Sequence, residues 1–297
     1  INNLTPTTTA LSELATLVAP ARTTSVEPTV SNITATVSKY GQYLVLNEEA
    51  DLVNFNGQTD KLVEVMGISA GRSLNMLQRN EMEDNATAVF ANGSAATAVN
   101  TIMSRGDIRN VVNTLNRNSA MKFTPETNGS SNFNTSPIRD SYWGLCHSDV
   151  EEDIRQMTGF VGCESYGSQT KTETGEFGYV GGVRWISSED AGIITDTGAT
   201  GGTGVRETTN SKADLYDSII FGMEAVGSVG FGMEHLKEVY KAGDNLPGVM
   251  MIHKDFGSGG TSDPMNEVST MSWKSWHAAQ ILNSDWIRRI TSAASSL

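Results

Sequence analysis

Gly67-Ile68-Ser69-Ala70-Gly71 has the G-x-S-x-G spacing in which serine hydrolases present a nucleophile on a sharp strand-to-helix turn. Ser69 would then need a base, and His235, His253 and His277 are the candidates. The elbow requires Leu62 to Met66 as its strand and Ser73 to Gln78 as its helix. Little chain precedes Ser69 to supply the earlier strands of such a fold. No His-Gly-Gly oxyanion loop stands upstream. A serine hydrolase acting through Ser69 is therefore the alternative reading of this chain, not the favoured one.

Other reactive residue types are placed less suggestively. Cys146-His147 pairs a thiol with an imidazole, but neighbours on a strand point to opposite faces. Cys146 and Cys163 are too few for a disulfide framework or a four-cysteine zinc site, and read as reduced thiols. Asp149, Glu151, Glu152 and Asp153 crowd together, yet they follow Ser148 in a capping box. Acids in a first helical turn complement the helix dipole without any metal. Arg105-Gly106-Asp107 looks like an adhesion triplet, but Ser104 and Asp107 are spaced to cap a helix there. The loop Thr197 to Gly204 lacks the lysine of a phosphate loop. No H-E-x-x-H occurs. Neither a cofactor nor a catalytic metal is expected.

The element that must position everything else is a long helix from Thr59 to about Asn85. Leu62, Met66, Ala70 and Leu74 recur every fourth residue, with Val63 and Leu77 beside them. The stripe continues through Ser69 without a change of period. Thr59 can cap the first turn. At ~1.5 Å per residue this spine is roughly 40 Å long. Gly67 and Gly71, one turn apart, each cost ~1 kcal/mol relative to alanine, which predicts close packing against them.

Before the spine, residues 1–32 are rich in Thr, Ala, Ser and Pro, and read as an arm with a short helix at Ala10 to Val18. Ile33 to Asn54 alternates like β structure. A bend is expected at Tyr40-Gly41-Gln42, then a second strand over Tyr43 to Leu46. After the spine, Ile108, Val111, Val112 and Leu115 make the stripe of a second helix. Thr127 to Ser136 is a loop. Ser141 to His147 is a buried strand, and helix follows to Met157. Gly175 to Ile186 is a glycine-punctuated strand, Asp214 to Phe231 strands and turns, and Val249 to Ile252 a buried strand. Trp273, Trp276 and Trp286 lie in the last apolar stretch, Met271 to Ile290. Strand is expected through Trp276, which would put Trp273 and Trp276 on opposite faces.

The chain has 297 residues, 38% of them hydrophobic, with 29 glycines, enough for one large domain or two interleaved ones. Its formal charge of −13 argues against nucleic-acid binding, which needs Lys and Arg against phosphate. No apolar run reaches the ~18 residues of a membrane span. The N-x-S/T triplets are what chance gives in so Asn-, Ser- and Thr-rich a sequence.

Several local stretches resemble the major capsid proteins of tailed phages, which share the Hong Kong 97-like fold. They are most similar to the family found in short-tailed phages with a giant virion RNA polymerase. The matching pieces are Val37-Ser38-Lys39-Tyr40-Gly41-Gln42-Tyr43, Gly175-Glu176-Phe177-Gly178 with Gly182-Val183-Arg184, and Asp263-Pro264. Trp273-Lys274-Ser275-Trp276-His277-Ala278-Ala279 and Ile281-Leu282-Asn283 complete them. The resemblance implies an α+β shell protein without catalytic residues. It would have an N-terminal arm and extended loop at 1–55 and a peripheral domain with the spine at 56–103. An axial domain would take 104–250, and a returning peripheral β segment 251–297. It implies hexameric and pentameric capsomers enclosing double-stranded DNA in a virion assembled in the host cytoplasm. Scaffold, portal and decoration proteins are the implied partners, with no membrane. Val37, Tyr40, Tyr43, Leu44, Leu46, Trp273 and Trp276 are the expected inter-subunit contacts, because a loop with so little apolar surface needs a neighbour to lie on.

Overall fold

The computed structural model describes residues 32–53, 58–123, 140–166, 173–200, 204–209, 211–230, 249–260 and 263–296. The expected arm, its short helix, the 127–136 loop and His235 lie outside these residues, as does the side chain of Thr59, the expected cap of the spine. Among the described residues, helices pack on two sheets, one of four strands and one of eight, a mixed α and β fold.

The spine is present as α2, Gln58–Asn85, unbroken over 28 residues. It lies against the four-stranded sheet, built from β1 (Ser38–Asn47), β9 (Val226–Gly230), β10 (Val249–Lys254) and β11 (Val268–Ile281). Strand β11 is the centre: β1 pairs along one side, β10 and β9 along the other, all antiparallel.

Two expectations about glycine are corrected here. The bend at Tyr40-Gly41-Gln42 does not form. Strand β1 runs straight through Gly41 and pairs with β11 over all 10 of its residues, from Ser38 opposite His277 to Asn47 opposite Val268. A Cβ on Gly41 would stand 2.6 Å from the carbonyl oxygen of Trp273, so this glycine permits a close approach of backbones and makes no turn. Conversely, Gly67 and Gly71 are exposed, and a Cβ on either would meet nothing within 4 Å. The predicted close packing is absent within the described chain.

The eight-stranded sheet runs β2 (Thr87–Phe90), β12 (Ile287–Ala293), β8 (Leu215–Phe221), β3 (Tyr142–His147), β6 (Val183–Ser188), β5 (Glu176–Val180) and β4 (Val161–Gly162), with β7 (Ile193–Ile194) beside β8. Helices α3 (Arg105–Arg117) and α4 (Ser148–Arg155) pack their apolar residues Ile108, Val111, Val112, Leu115, Val150 and Ile154 into one core with Tyr142, Val183 and Trp185. Ser104 and Asp107 form the expected reciprocal cap of α3. The glycine-punctuated stretch is two strands, not one. Gly181 and Gly182, at φ +65° and +97°, turn β5 into β6 as a two-residue hairpin. Strand β12, near the end of the chain, joins this sheet, not the four-stranded one.

One cap differs from expectation. His147, not Ser148, caps α4: its Nδ1 accepts the Asp149 N–H at 3.0 Å. The chain leaves β3 at His147 in extended conformation, so its ring lies over the first turn while Ser148 is already helical. No helix among the described residues is long and apolar enough to cross a membrane.

Candidate assembly surface

Alternation along β11 decides which residues serve the chain and which face outward. Ser269, Met271, Trp273, Ser275 and His277 are all buried, whereas Thr270, Ser272, Lys274 and Trp276 are half-buried on the opposite face. The buried side faces the spine. Met66 and Ala70, one turn apart on α2, pack with Met271 and Trp273, and Tyr40, Leu44, Leu62 and Val249 close the cluster. Trp273 and Trp276 thus take opposite faces, as a strand requires.

Ser69 sits in the middle of this packing. Leu62 to Met66 are helical like Ser69 itself, so no strand or turn leads into it and the elbow reading is overturned. Its hydroxyl donates to Gln42 Oε1 at 3.0 Å, and its carbonyl accepts from Ser73 Oγ at 2.7 Å. His253 shares its Nε2 contact with Ser269 Oγ at 3.2 Å, and His277 is buried opposite Ser38. Cys146 is buried, and burial pushes its thiol far above the ordinary range, away from the thiolate a nucleophile requires.

The acids after Ser148 each have a protein partner. Asp149 bonds Arg206 and Tyr216; desolvation opposes its ionisation, but these hydrogen bonds outweigh that and hold its carboxyl below the ordinary range. Glu151 pairs with Arg155, and Asp153 accepts the Ser295 N–H at 3.0 Å. Among the described residues, no group of three or more His, Cys, Asp or Glu is arranged to hold a metal.

What the four-stranded sheet offers instead is surface. Tyr43 and Val45 project from the outer face of β1 at 74% and 52% exposure. Tyr43 lies opposite Ser272, which lies opposite Ile252, so one row crosses three strands. Of the residues expected at subunit contacts, Tyr40, Leu44 and Trp273 pack on the chain's own spine. Tyr43 and Trp276 lie on the outer face, and Val37 and Leu46 are half-buried. Sequence reasoning missed Val45, Leu52, Val53 and Met265, all exposed and apolar. Alternation with Tyr43 would have found Val45.

The spine also ties the two sheets together. Arg72 reaches Asp190 at 2.8 Å and 2.5 Å. Further along, Arg79 pairs with Glu83, and Arg289 on β12 with Asp217 on β8. Burial raises the Glu83 carboxyl above the usual range, and Arg79 offsets part of that. Met82 and Ala86 continue the contact into a core with Ile219, Trp286 and Ile287.

No family model and no curated relative matches the sequence. Solved structures match the whole fold. The capsid of Ralstonia phage GP4 superposes with a TM-score of 0.59 at 10% identity, over 88% of this chain and 74% of that one. The cyanophage Pam1 capsid asymmetric unit gives 0.57 at 10% identity, over 100% and 85%. The capsid of cyanophage P-SCSP1u gives 0.55 at 12% identity, over 96% and 81%. The chain thus shares its overall fold with these phage capsid structures.

Proposed function

We propose that this chain is a phage major capsid protein, whose function is to assemble with copies of itself into the icosahedral shell around double-stranded DNA. The observation that carries the reading is the likeness to capsid subunits over 88% to 100% of the chain. Two features of the chain support it. Among the described residues, those that suggested catalysis, Ser69, His253, His277, Cys146 and the acids after Ser148, are used in packing, capping, hydrogen bonds and ion pairs. The charge of −13 keeps a wall from adhering to the phosphates it encloses.

The finer reading follows the sequence resemblance: a Hong Kong 97-like subunit of the family found in short-tailed phages with a giant virion RNA polymerase. The peripheral domain is then the spine with the four-stranded sheet, and the axial domain the eight-stranded sheet. With β12 in the latter, the last boundary falls near residue 283 instead of at the chain end. Capsomers are hexamers and pentamers, assembled in the host cytoplasm with scaffold, portal or decoration proteins. Tyr43, Trp276 and the half-buried Val37 and Leu46 contribute to subunit contacts; Tyr40, Leu44 and Trp273 hold the sheet that presents them.

Electron microscopy of the purified protein tests this directly. Shells, tubes or capsomer rings are the expected result, and subunit contacts that together bury far more than the ~1,200–2,000 Å² of a standard pair. A chain that stays monomeric at high concentration and with scaffold co-expressed would overturn it.

A further inference from the structure

The arginines of this chain divide into two groups. Among the described residues, each arginine outside α3 is paired with a carboxylate, from Arg72 with Asp190 to Arg289 with Asp217. Arg105, Arg109 and Arg117 of α3 are exposed, and among those residues they have no such pair. The helix explains where they point. Ile108, Val111, Val112 and Leu115 are buried against the eight-stranded sheet, so at ~3.6 residues per turn Arg105, Arg109, Asn113, Asn116 and Arg117 share the opposite side. Every exposed side chain of α3 is arginine or asparagine. The helix's one carboxylate, Asp107, is turned back onto Ser104 in the N-terminal cap. Capping thus accounts for the aspartate of the Arg105-Gly106-Asp107 triplet and leaves its arginine unused. That arginine rests on the turn after α4, where a Cβ on Gly159 would stand 3.3 Å from its guanidinium.

We propose that this face of α3 takes the phosphate backbone of double-stranded DNA, with Arg105, Arg109 and Arg117 as the contacts. The proposal rests on the shell-forming reading above and names the surface at which the enclosed DNA meets the wall. A guanidinium stays charged at any working pH, and its N–H fork matches two phosphate oxygens. The asparagine amides between the arginines add neutral donors. From Arg105 to Arg117 the helix rises roughly 18 Å at ~1.5 Å per residue. A DNA strand carries a phosphate every ~3.4 Å along the axis, so it passes about five phosphates over that length, more than three forks require. The net charge of −13 limits adhesion of the wall as a whole, but it does not describe this face. At physiological salt the screening length is ~8 Å, so a phosphate in contact with α3 responds to these arginines more than to distant carboxylates. Copies of a shell protein meet different stretches of a genome, and phosphate is the group common to all of them. An acidic polypeptide would also attract arginine. The exposed side of α3, however, lacks the apolar and aromatic anchors on which protein partners are held.

Fluorescence anisotropy of a short labelled duplex, titrated with the unassembled full chain, reads the contact. Three phosphate contacts give a salt slope of about −2.7, so binding should weaken roughly 40-fold between ~50 and ~200 mM salt, and equally on duplexes of unrelated sequence. Arg109→Gln should reduce that slope by ~0.9, and Arg105→Gln, Arg109→Gln and Arg117→Gln together should abolish measurable binding. Glutamine forms helix about as well as arginine, so the circular dichroism of each variant should match the parent's. Arg72→Gln removes the same charge from a paired position and should leave DNA binding as it is. A triple variant that binds duplex like the parent, or a parent that does not bind it at low salt, would overturn the contact. Arginine-dependent binding of polyglutamate that is tighter than binding of duplex would also overturn it, and would assign the face to an acidic polypeptide. Any of these results, with particles still seen by electron microscopy, leaves the shell reading standing. If the parent chain forms no particles, the shell reading itself fails first.

Discussion

Gly41→Ala separates two meanings of a strand glycine. A turn glycine is kept for the backbone conformation it permits, a strand glycine for the space its missing Cβ leaves. Here the added Cβ would sit 2.6 Å from the Trp273 carbonyl oxygen and 3.4 Å from the Lys274 Cα. Both are backbone atoms of the central strand, so no rotamer change relieves the clash. Relief requires β1 and β11 to part locally, and overpacking of this kind costs ~1–3 kcal/mol. The spine supplies controls of opposite sign. Gly67→Ala and Gly71→Ala meet nothing within 4 Å, so each should gain up to ~0.8–1 kcal/mol of helix propensity. Urea unfolding of the unassembled chain, followed by circular dichroism, reads both. With m near ~3 kcal/mol/M, Gly41→Ala should lower the midpoint by roughly 0.3–1 M and each helix variant raise it by roughly 0.3 M. A Gly41→Ala midpoint equal to the parent's would refute the close-approach argument. A lowered midpoint for Gly67→Ala would show that something packs on the spine there after all.

Ser69→Ala should be nearly silent in stability, since only the Gln42 hydrogen bond is lost, whereas Ser69→Pro should cost ~3 kcal/mol or more by breaking α2; the same urea series checks both. Trp273→Ala should cost ~3–5 kcal/mol and Trp276→Ala distinctly less, because only the first is wholly buried against the spine. Glu176→Gln should cost ~3–5 kcal/mol, measured by thermal or urea unfolding: Glu176 is buried, its partner Arg184 reaches it at 2.7 Å and 2.5 Å, and Arg184 also lies 4.2 Å over the Trp143 ring. Burial holds His147 below its ordinary pKa of 6.5, so the unfolded chain binds the extra proton more readily. Its contribution is therefore fully present above about pH 6.5 and declines as pH falls below that; His147→Asn, which keeps a capping oxygen, should flatten this slope in urea midpoints taken from about pH 8 to 5.

Local patterns carried their information into the structure, and long-range pairing did not. The Leu62, Met66 and Ala70 stripe of α2, the Ser104 and Asp107 cap and the alternation around Trp273 are set by residues within a turn or two and formed as the sequence suggests, whereas Val63, expected beside that stripe, is exposed. Gly41 was misread because a glycine between alternating residues has the same local appearance in a turn and beside a close strand. Only the identity of the neighbour, a strand some two hundred residues later, distinguishes them. The same holds for β12, whose Ile287 and Ile290 suit either sheet until β8 is in place. His147 displaced Ser148 as cap because the chain reaches α4 directly from β3, and the angle of that exit is a tertiary matter. On the surface, alternation shows that Tyr43 and Leu44 face opposite ways. It does not show that the spine covers the side bearing Leu44.

Among the described residues, the four-stranded sheet pairs wholly within one chain, and α2 covers its inner face. The inner face is ordered by α2 through Met66, Ala70, Met271 and Trp273, so β1 needs no neighbour in order to pair. That separates folding from assembly. A subunit whose loop became ordered only on its neighbour would lose conformational entropy during association, and each contact would be weaker for it. Here the strand that presents Tyr43 and Val45, and the short helix α1 (Glu48–Val53) that presents Leu52 and Val53, are held in place beforehand by the chain's own sheet. The loss is met during folding, and apolar burial between copies goes further toward association. In the proposed shell, weak individual contacts repeated around a ring would then suffice, each reversible enough to correct a misplaced subunit.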